Sequence, residues 1–340
     1  MKETIGFPRA LLFYYYYPAW RVFFESLGRT CKVSGKTTKA VIDSGIKVTV
    51  DEACLPVKAF HGHVQSLSGA CDRVFVPRLV SVEKKAYICP KLMGLPDMVR
   101  HNCTGIRQIL DPCIDMSRNR KAFKREVYAT GRLFTQNSLR ISTARRKAQH
   151  TYEAFIRLLE AGLTPIDAMI KLNIYDGQDF ENSAIPHNAL TWRKGAETRP
   201  LVIGLLGHPY IIYDSFLGMN VLDRLKSMGA NVVTMDMLSP AIIEREAAKS
   251  PKRVFWTMGR RLLGAGYYFL TPGVVDGCLQ MSAFACGPDS FIGELLQQES
   301  IRSQRKVPFM TIIVDEHTGE AGIQTRLEAF VDIAERSMLR

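Results

Sequence analysis

The sequence predicts an α/β chain of two parallel-sheet domains joined by a helical middle segment. Short apolar strand signals alternate with helix-period segments at both ends of the chain. The order strand, proline-containing turn, helix, glycine stop, strand occurs over residues 4–34 and returns over residues 200–235. Between them, from Ser117 to Asn182, the pattern is helical and no strand signal is clear. Alternation of this kind builds a parallel sheet with helices on both faces, of the Rossmann-like or flavodoxin-like type. The expected divisions are a first α/β domain at 1–116, a helical segment and linker at 117–199, and a second α/β domain at 200–340.

In order, Thr4 to Leu11 reads as a strand and turn. Tyr14 to Leu27 is a helix of aromatic and aliphatic residues, stopped by Gly28. Thr30 to Ser34 is a strand, and Lys39 to Ser44 a short helix. Asp51-Glu52-Ala53-Cys54-Leu55-Pro56 is a loop leading into a helix through Val64. Cys71 to Arg78 reads as one buried strand, followed by the loop Tyr87-Ile88-Cys89-Pro90-Lys91. Polar and turn residues over 177–199 read as a linker. In the second half, Pro200 to Tyr210 is a strand and turn. Ser215 to Met228 is a helix closed by Gly229, and Asn231 to Met235 a strand. A helix runs from Trp256 to Gly264. The apolar run from Val275 empties into Ala285-Cys286-Gly287-Pro288-Asp289-Ser290. A helix from Phe291 to Ser300 and a strand from Val307 to Val314 follow. The loop Asp315-Glu316-His317-Thr318-Gly319-Glu320-Ala321-Gly322 leads to a closing helix.

The chain has 340 residues, 46% of them hydrophobic and 23% charged, ordinary values for a globular protein. No apolar run reaches the roughly 18 residues that span a bilayer. Met1 to Pro8 reads as a strand start rather than an export signal, so the expected compartment is the cytoplasm. Eight cysteines in a reducing compartment point to metal, redox or core roles rather than disulfides. The net charge of +12 is concentrated locally. From Arg118 to Lys147 ten basic residues face one acid, Glu126. Such a face suits acidic proteins or phosphates. No zinc-finger, RNP or basic-zipper pattern accompanies it, which sets nucleic acid aside. There is no Walker A lysine motif and no G-x-G-x-x-G, so ATP hydrolysis by this chain is not expected.

Only Cys54, Cys89 and Cys286 have a proline within the next two residues. Each is expected near a strand end or a helix start, where α/β sheets bind ligands. Thiolates are soft donors that suit iron–sulfur clusters and zinc, but their wide spacing matches no zinc ribbon. The reading is one iron–sulfur site with three cysteine ligands, leaving one iron of a cubane open. The alternative is three buried structural cysteines. Cys31, Cys71 and Cys278 read as core, and Cys103 and Cys113 as candidate extra ligands. His317, between Glu316 and Thr318, is a candidate proton donor, with Glu316 beside it; His208 is comparable. His61 and His63 point apart on a helix and do not share a metal.

The stretches Asp51 to Lys58, Val76 to Lys91, Phe284 to Ser290 and Asp315 to Gly322 resemble a family of CoA-enzyme activase-associated proteins. That family is similar to 2-hydroxyacyl-CoA dehydratase and benzoyl-CoA reductase subunits and to double-cubane cluster proteins. The resemblance implies an oxygen-sensitive 4Fe–4S cluster between two α/β domains, held by Cys54, Cys89 and Cys286. It also implies a partner, a homodimeric ATP-dependent activase whose own 4Fe–4S cluster delivers low-potential electrons. A double-cubane cluster would draw further thiolates from Cys103, Cys113 or Cys278, or from a second chain in a homodimer. No CoA-binding signature is present. The second function class is a non-catalytic docking partner of the activase that uses the basic face.

Overall fold

The computed structural model describes residues 2–117, 120–175, 200–302 and 307–338. The linker expected at 177–199 lies outside them. The elements are β1 (Thr4–Phe7), α1 (Phe13–Ser26), β2 (Thr30–Val33), α2 (Lys39–Ile46), α3 (Leu55–Ser66), β3 (Arg73–Phe75), β4 (Arg78–Ser81), α4 (Pro90–Met93), α5 (Leu95–Asn102), β5 (Ile109–Leu110), β6 (Cys113–Asp115), α6 (Arg120–Arg132), α7 (Ser138–Glu160) and α8 (Pro165–Lys171). Then come β7 (Val202–Leu206), α9 (Pro209–Ile212), α10 (Val221–Ser227), β8 (Asn231–Thr234), α11 (Pro240–Ala247), α12 (Thr257–Phe269), β9 (Gly277–Ala283), α13 (Gly287–Arg302), β10 (Phe309–Val314) and α14 (Glu320–Met338).

The chain divides into two compact units. The first holds Met1–Ile156 and Phe255–Thr257, with a short piece beginning at Lys171. The second holds Arg157–Ile170, the chain up to Val254, and Met258–Arg340. Each carries one four-stranded parallel sheet, ordered β2-β1-β3-β5 in the first and β8-β7-β9-β10 in the second. With strands numbered within each four-stranded sheet, both read 2-1-3-4, so the predicted fold class is the observed one.

The two units share local devices as well as topology. Gly28 and Gly229 both sit at φ +82. After α1, Gly28 N–H donates to Glu25 O and Arg29 N–H to Phe24 O. After α10, Gly229 N–H donates to Lys226 O and Ala230 N–H to Leu225 O. Both are Schellman stops, which need a left-handed residue that glycine supplies without strain. The first and third strands are then clasped in the same way. Thr4 N–H donates to Asp72 Oδ2 at 2.8 Å, and Asp72 N–H returns a bond to Thr4 O. Val202 N–H donates to Asp276 Oδ2 at 2.9 Å, and Asp276 N–H returns one to Val202 O.

In the first unit, α1 lays an aromatic face on the sheet. Phe7 meets Tyr17 at 5.1 Å between ring centroids, and Trp20 meets Phe75 at 4.8 Å. Helices α2 and α3 cross backbone to backbone. A Cβ on Gly45 would lie 1.8 Å from Lys58 O, and one on Gly62 would lie 1.9 Å from Val41 O. In the second unit β7 and β9 are buried throughout, as central parallel strands covered on both faces must be.

Two sequence expectations are corrected. The strand expected over Cys71 to Arg78 is two: β3 joins the main sheet, and β4 pairs with β6. Pro77 has no N–H for a continuous ladder, and the chain changes sheets there. The helix expected from Ser215 begins only at Val221. Asp214 Oδ1 accepts from the amides of Phe216 and Leu217, and Met219 and Asn220 take left-handed φ values of +50 and +53. These local bonds compete with the helix.

Candidate functional site

All three proline-tagged cysteines stand immediately before a helix. Cys54 is the N-cap of α3, with Pro56 in its first turn. Cys89 is the N-cap of α4, with Pro90 as its first residue. Cys286 directly precedes α13, which opens Gly287-Pro288-Asp289. Proline fits the first turn because amides there have no intrahelical acceptor and its φ is already helical. His208, the N-cap of α9, carries the same device in Pro209.

In the first unit Cys54 and Cys89 are brought together. Burial raises the Cys54 thiol above its usual range, and the neighbouring Cys89 adds to this; Lys91 and the Val57 amide act the other way. Lys91 Nζ donates to Glu52 O at 3.2 Å, tying the Cys89 loop to the Cys54 loop. Two residues before Cys89 the chain is clipped at Tyr87, whose N–H donates to Phe255 O and whose carbonyl accepts from Thr257 N–H.

In the second unit Cys286 lies with His208, which the sequence offered only as a candidate proton donor, and with Asp289, to which it gave no role. A ring nitrogen of His208, Sγ of Cys286 and a carboxylate oxygen of Asp289 all fall within 4.8 Å of one another. His208 Nε2 approaches Asp289 Oδ1 to 2.8 Å, and both side chains are buried. The approach is close but poorly aligned, so Asp289 Oδ1 makes no hydrogen bond, and neither does His208 Nδ1. Gln280, on β9, donates from Nε2 to Asp289 O at 3.2 Å and fixes the start of α13. Parallel pairing of β7 with β9, Leu206 opposite Gln280, sets His208 and Cys286 at neighbouring strand ends. Ala285, just before the cysteine, sits at φ +63. A non-glycine residue there stores roughly 1 kcal/mol of strain. The proline after His208 is the signal that could have singled it out. Asp289 has none, because its partnership arises only from strand adjacency.

The other candidates have structural roles or stand apart. His317 is exposed, and its backbone amide donates to Asp315 Oδ1 at 2.9 Å. The Thr318 hydroxyl holds Asp315 below the usual carboxylate range. Glu316 is half-buried in the same turn, and neither it nor His317 is among the three residues gathered at Cys286. His61 and His63 are fully buried. His63 bridges Ser34 Oγ and Thr37 Oγ1, both at 2.9 Å. His61 Nδ1 donates to Val57 O at 2.8 Å, burial lowers its pKa, and its Nε2 has no hydrogen-bond partner. Cys71 and Cys278 are core, and no cysteine is in a disulfide. Burial pushes Cys31 up to about 12 and Cys103 up to about 11. Cys113 is exposed on β6. Among the described residues no helix is long and apolar enough to cross a membrane.

No curated protein matches the chain. A family model described as the CoA enzyme activase uncharacterised domain matches residues 4–238. The match takes in Cys54, Cys89 and His208 and stops before Cys286. It covers well over half of the sequence, including the whole of the first sheet and the β7–β8 pair of the second. By that extent the chain belongs to the CoA enzyme activase uncharacterised domain family.

Proposed function

We propose that the chain is an iron–sulfur redox protein of the 2-hydroxyacyl-CoA dehydratase-like type, served by an ATP-dependent activase. The observation that carries the reading is the Cys54–Cys89 pair. Two thiols, each at a helix start, are drawn together by a lysine that joins their loops. Burial holds the Cys54 thiol above its usual range, Lys91 and the Val57 amide offset part of that, and metal binding would draw off the remaining proton. Cys286 supplies the third thiol, also at a helix start. Three soft donors fit a 4Fe–4S cluster, and the family assignment supports the activase as electron source. Bound there, a cluster would supply low-potential one-electron chemistry. This chain's part is to hold the three thiolates and to keep positive charge, from Lys91, close to two of them. His317 and Glu316 are carried as proton-handling candidates in the loop after β10.

The test is anaerobic reconstitution with iron and sulfide, read by metal analysis and EPR. The expected result is a brown protein with iron and sulfide in equal amounts. Cys54→Ser, Cys89→Ser and Cys286→Ser should each lower cluster content severalfold, and Cys31→Ser and Cys71→Ser should not. A protein that stays colourless and iron-free would end the reading.

A second reading, a non-catalytic docking partner of the activase, draws on the basic face. Lys121, Lys124, Arg125 and Arg132 on α6, and Arg140, Arg146 and Lys147 on α7, are all exposed. It predicts iron-independent binding to an acidic protein surface.

A further inference from the structure

We propose that the second unit binds a single divalent cation of the zinc class, held directly by His208, Cys286 and Asp289. All three residues belong to that unit. The inference goes beyond the iron–sulfur reading and does not depend on it. One Sγ serves one metal centre, so the ion occupies chains whose Cys286 carries no cluster.

Donor type and spacing both suit one ion. A ring nitrogen, Sγ and a carboxylate oxygen of the three lie within 4.8 Å of one another. Ligands with bonds of about 2.0–2.3 Å to a tetrahedral zinc lie about 3.5 Å apart, so a small closing movement completes the site. Sulfur beside imidazole selects the zinc class over magnesium or calcium, which prefer all-oxygen sites. Thiolate and carboxylate each bring a negative charge, and a divalent ion cancels both where burial makes them costly. The polar atoms agree. His208 is 5% exposed and Asp289 1%, and Asp289 Oδ1 has no hydrogen bond although His208 Nε2 is 2.8 Å away. Buried polar atoms in folded proteins are rarely left so. A purely structural His–Asp pair aims its N–H at the oxygen, and this pair is close without that alignment. Two atoms that share an ion aim at the ion and stand side by side.

Local structure and topology bring the ligands together. Cys286 directly precedes α13 and Asp289 is its third residue, a spacing of three that sets both over the first turn. His208 follows β7, the strand paired with β9. From β7 the chain goes to β8 on one side, and later to β9 on the other. The ends of β7 and β9 therefore flank the switch point where open α/β sheets bind their ligands. Pro209 and Pro288 stiffen the two ligand loops, and Gln280 Nε2 holds the Asp289 carbonyl at 3.2 Å. Cys286 is half-buried, so solvent reaches the group and water completes the four ligands.

The experiment uses the full chain, prepared metal-free under anaerobic reducing conditions and titrated with Co²⁺ and then Zn²⁺. The expected result is one bound Co²⁺ with a sulfur-to-cobalt charge-transfer band and intense four-coordinate visible absorption, displaced by one Zn²⁺. Cys286→Ser should remove the charge-transfer band. His208→Gln and Asp289→Asn should each weaken Co²⁺ binding at least about tenfold. His61→Gln, at another buried histidine with an unpartnered nitrogen, should leave it unchanged. X-ray absorption of the zinc-loaded wild-type chain should show one sulfur at about 2.3 Å among nitrogen and oxygen neighbours. Two or more sulfurs per zinc would overturn the proposal even if a variant fails to fold. So would Co²⁺ binding that survives His208→Gln and is lost in Cys54→Ser. A chain that builds a cluster with iron and sulfide but takes up neither Co²⁺ nor Zn²⁺ overturns the proposal and leaves the cluster reading standing. One that binds the single ion and builds no cluster upholds the proposal and ends the cluster reading.

Discussion

Cys54, Cys89 and Cys286 each stand before a helix with proline in its first turn, and that local rule made them legible. His208 obeyed the same rule with Pro209. Asp289 could not be read, because its tie to His208 exists only through the β7–β9 pairing. Backbone strain at Ala285 was equally hidden. Ala285→Gly should raise stability by about 1 kcal/mol in denaturant unfolding, since glycine accepts φ +63 freely. The buried thiols give a pH prediction. Cys31, raised by burial from 9.0 to about 12, binds its proton more tightly folded than unfolded. Its contribution is complete below pH 9 and is lost as pH rises towards 12. Urea midpoints should therefore fall across that window, and less steeply in Cys31→Ala.

At the scale of elements, the repeated strand order and glycine stops are what residue periodicity foresaw. The Schellman stops at Gly28 and Gly229 are local, and so were legible. The reciprocal aspartate clasps link residues 68 or 74 positions apart, and no local pattern announces them. Asp276 is buried, and the Asp72 side chain is 44% exposed. Asp276→Ala should cost about 1–3 kcal/mol by leaving the Val202 amide without its acceptor, and Asp72→Ala distinctly less. Urea unfolding of the two variants would check the order. The His61-Gly62-His63 motif has a packing explanation. Gly62 lets α2 touch α3, and His63 bonds the loop after β2. Gly62→Ala should destabilise by about 1–3 kcal/mol, read as a lowered denaturation midpoint with faster hydrogen exchange in α2.

At the scale of the whole chain, the fold class was legible because alternation of strand and helix is a global pattern. The return of Phe255–Thr257 to the first unit was not, because it depends on a backbone clip and not on side-chain character. The excess of positive charge makes a prediction here. Binding to an acidic partner surface should weaken severalfold between low and physiological salt, and further in an Arg140→Ala, Arg146→Ala, Lys147→Ala triple variant, measured by calorimetry. The clip at Tyr87 also sets a timetable. A ribosome adds about 5–20 residues each second, so the stretch from Ile156 to Thr257 takes roughly 5–20 s to appear. Through that interval the nascent first unit already holds Cys54 and Cys89, yet the backbone bonds two residues before Cys89 have no partner to close on.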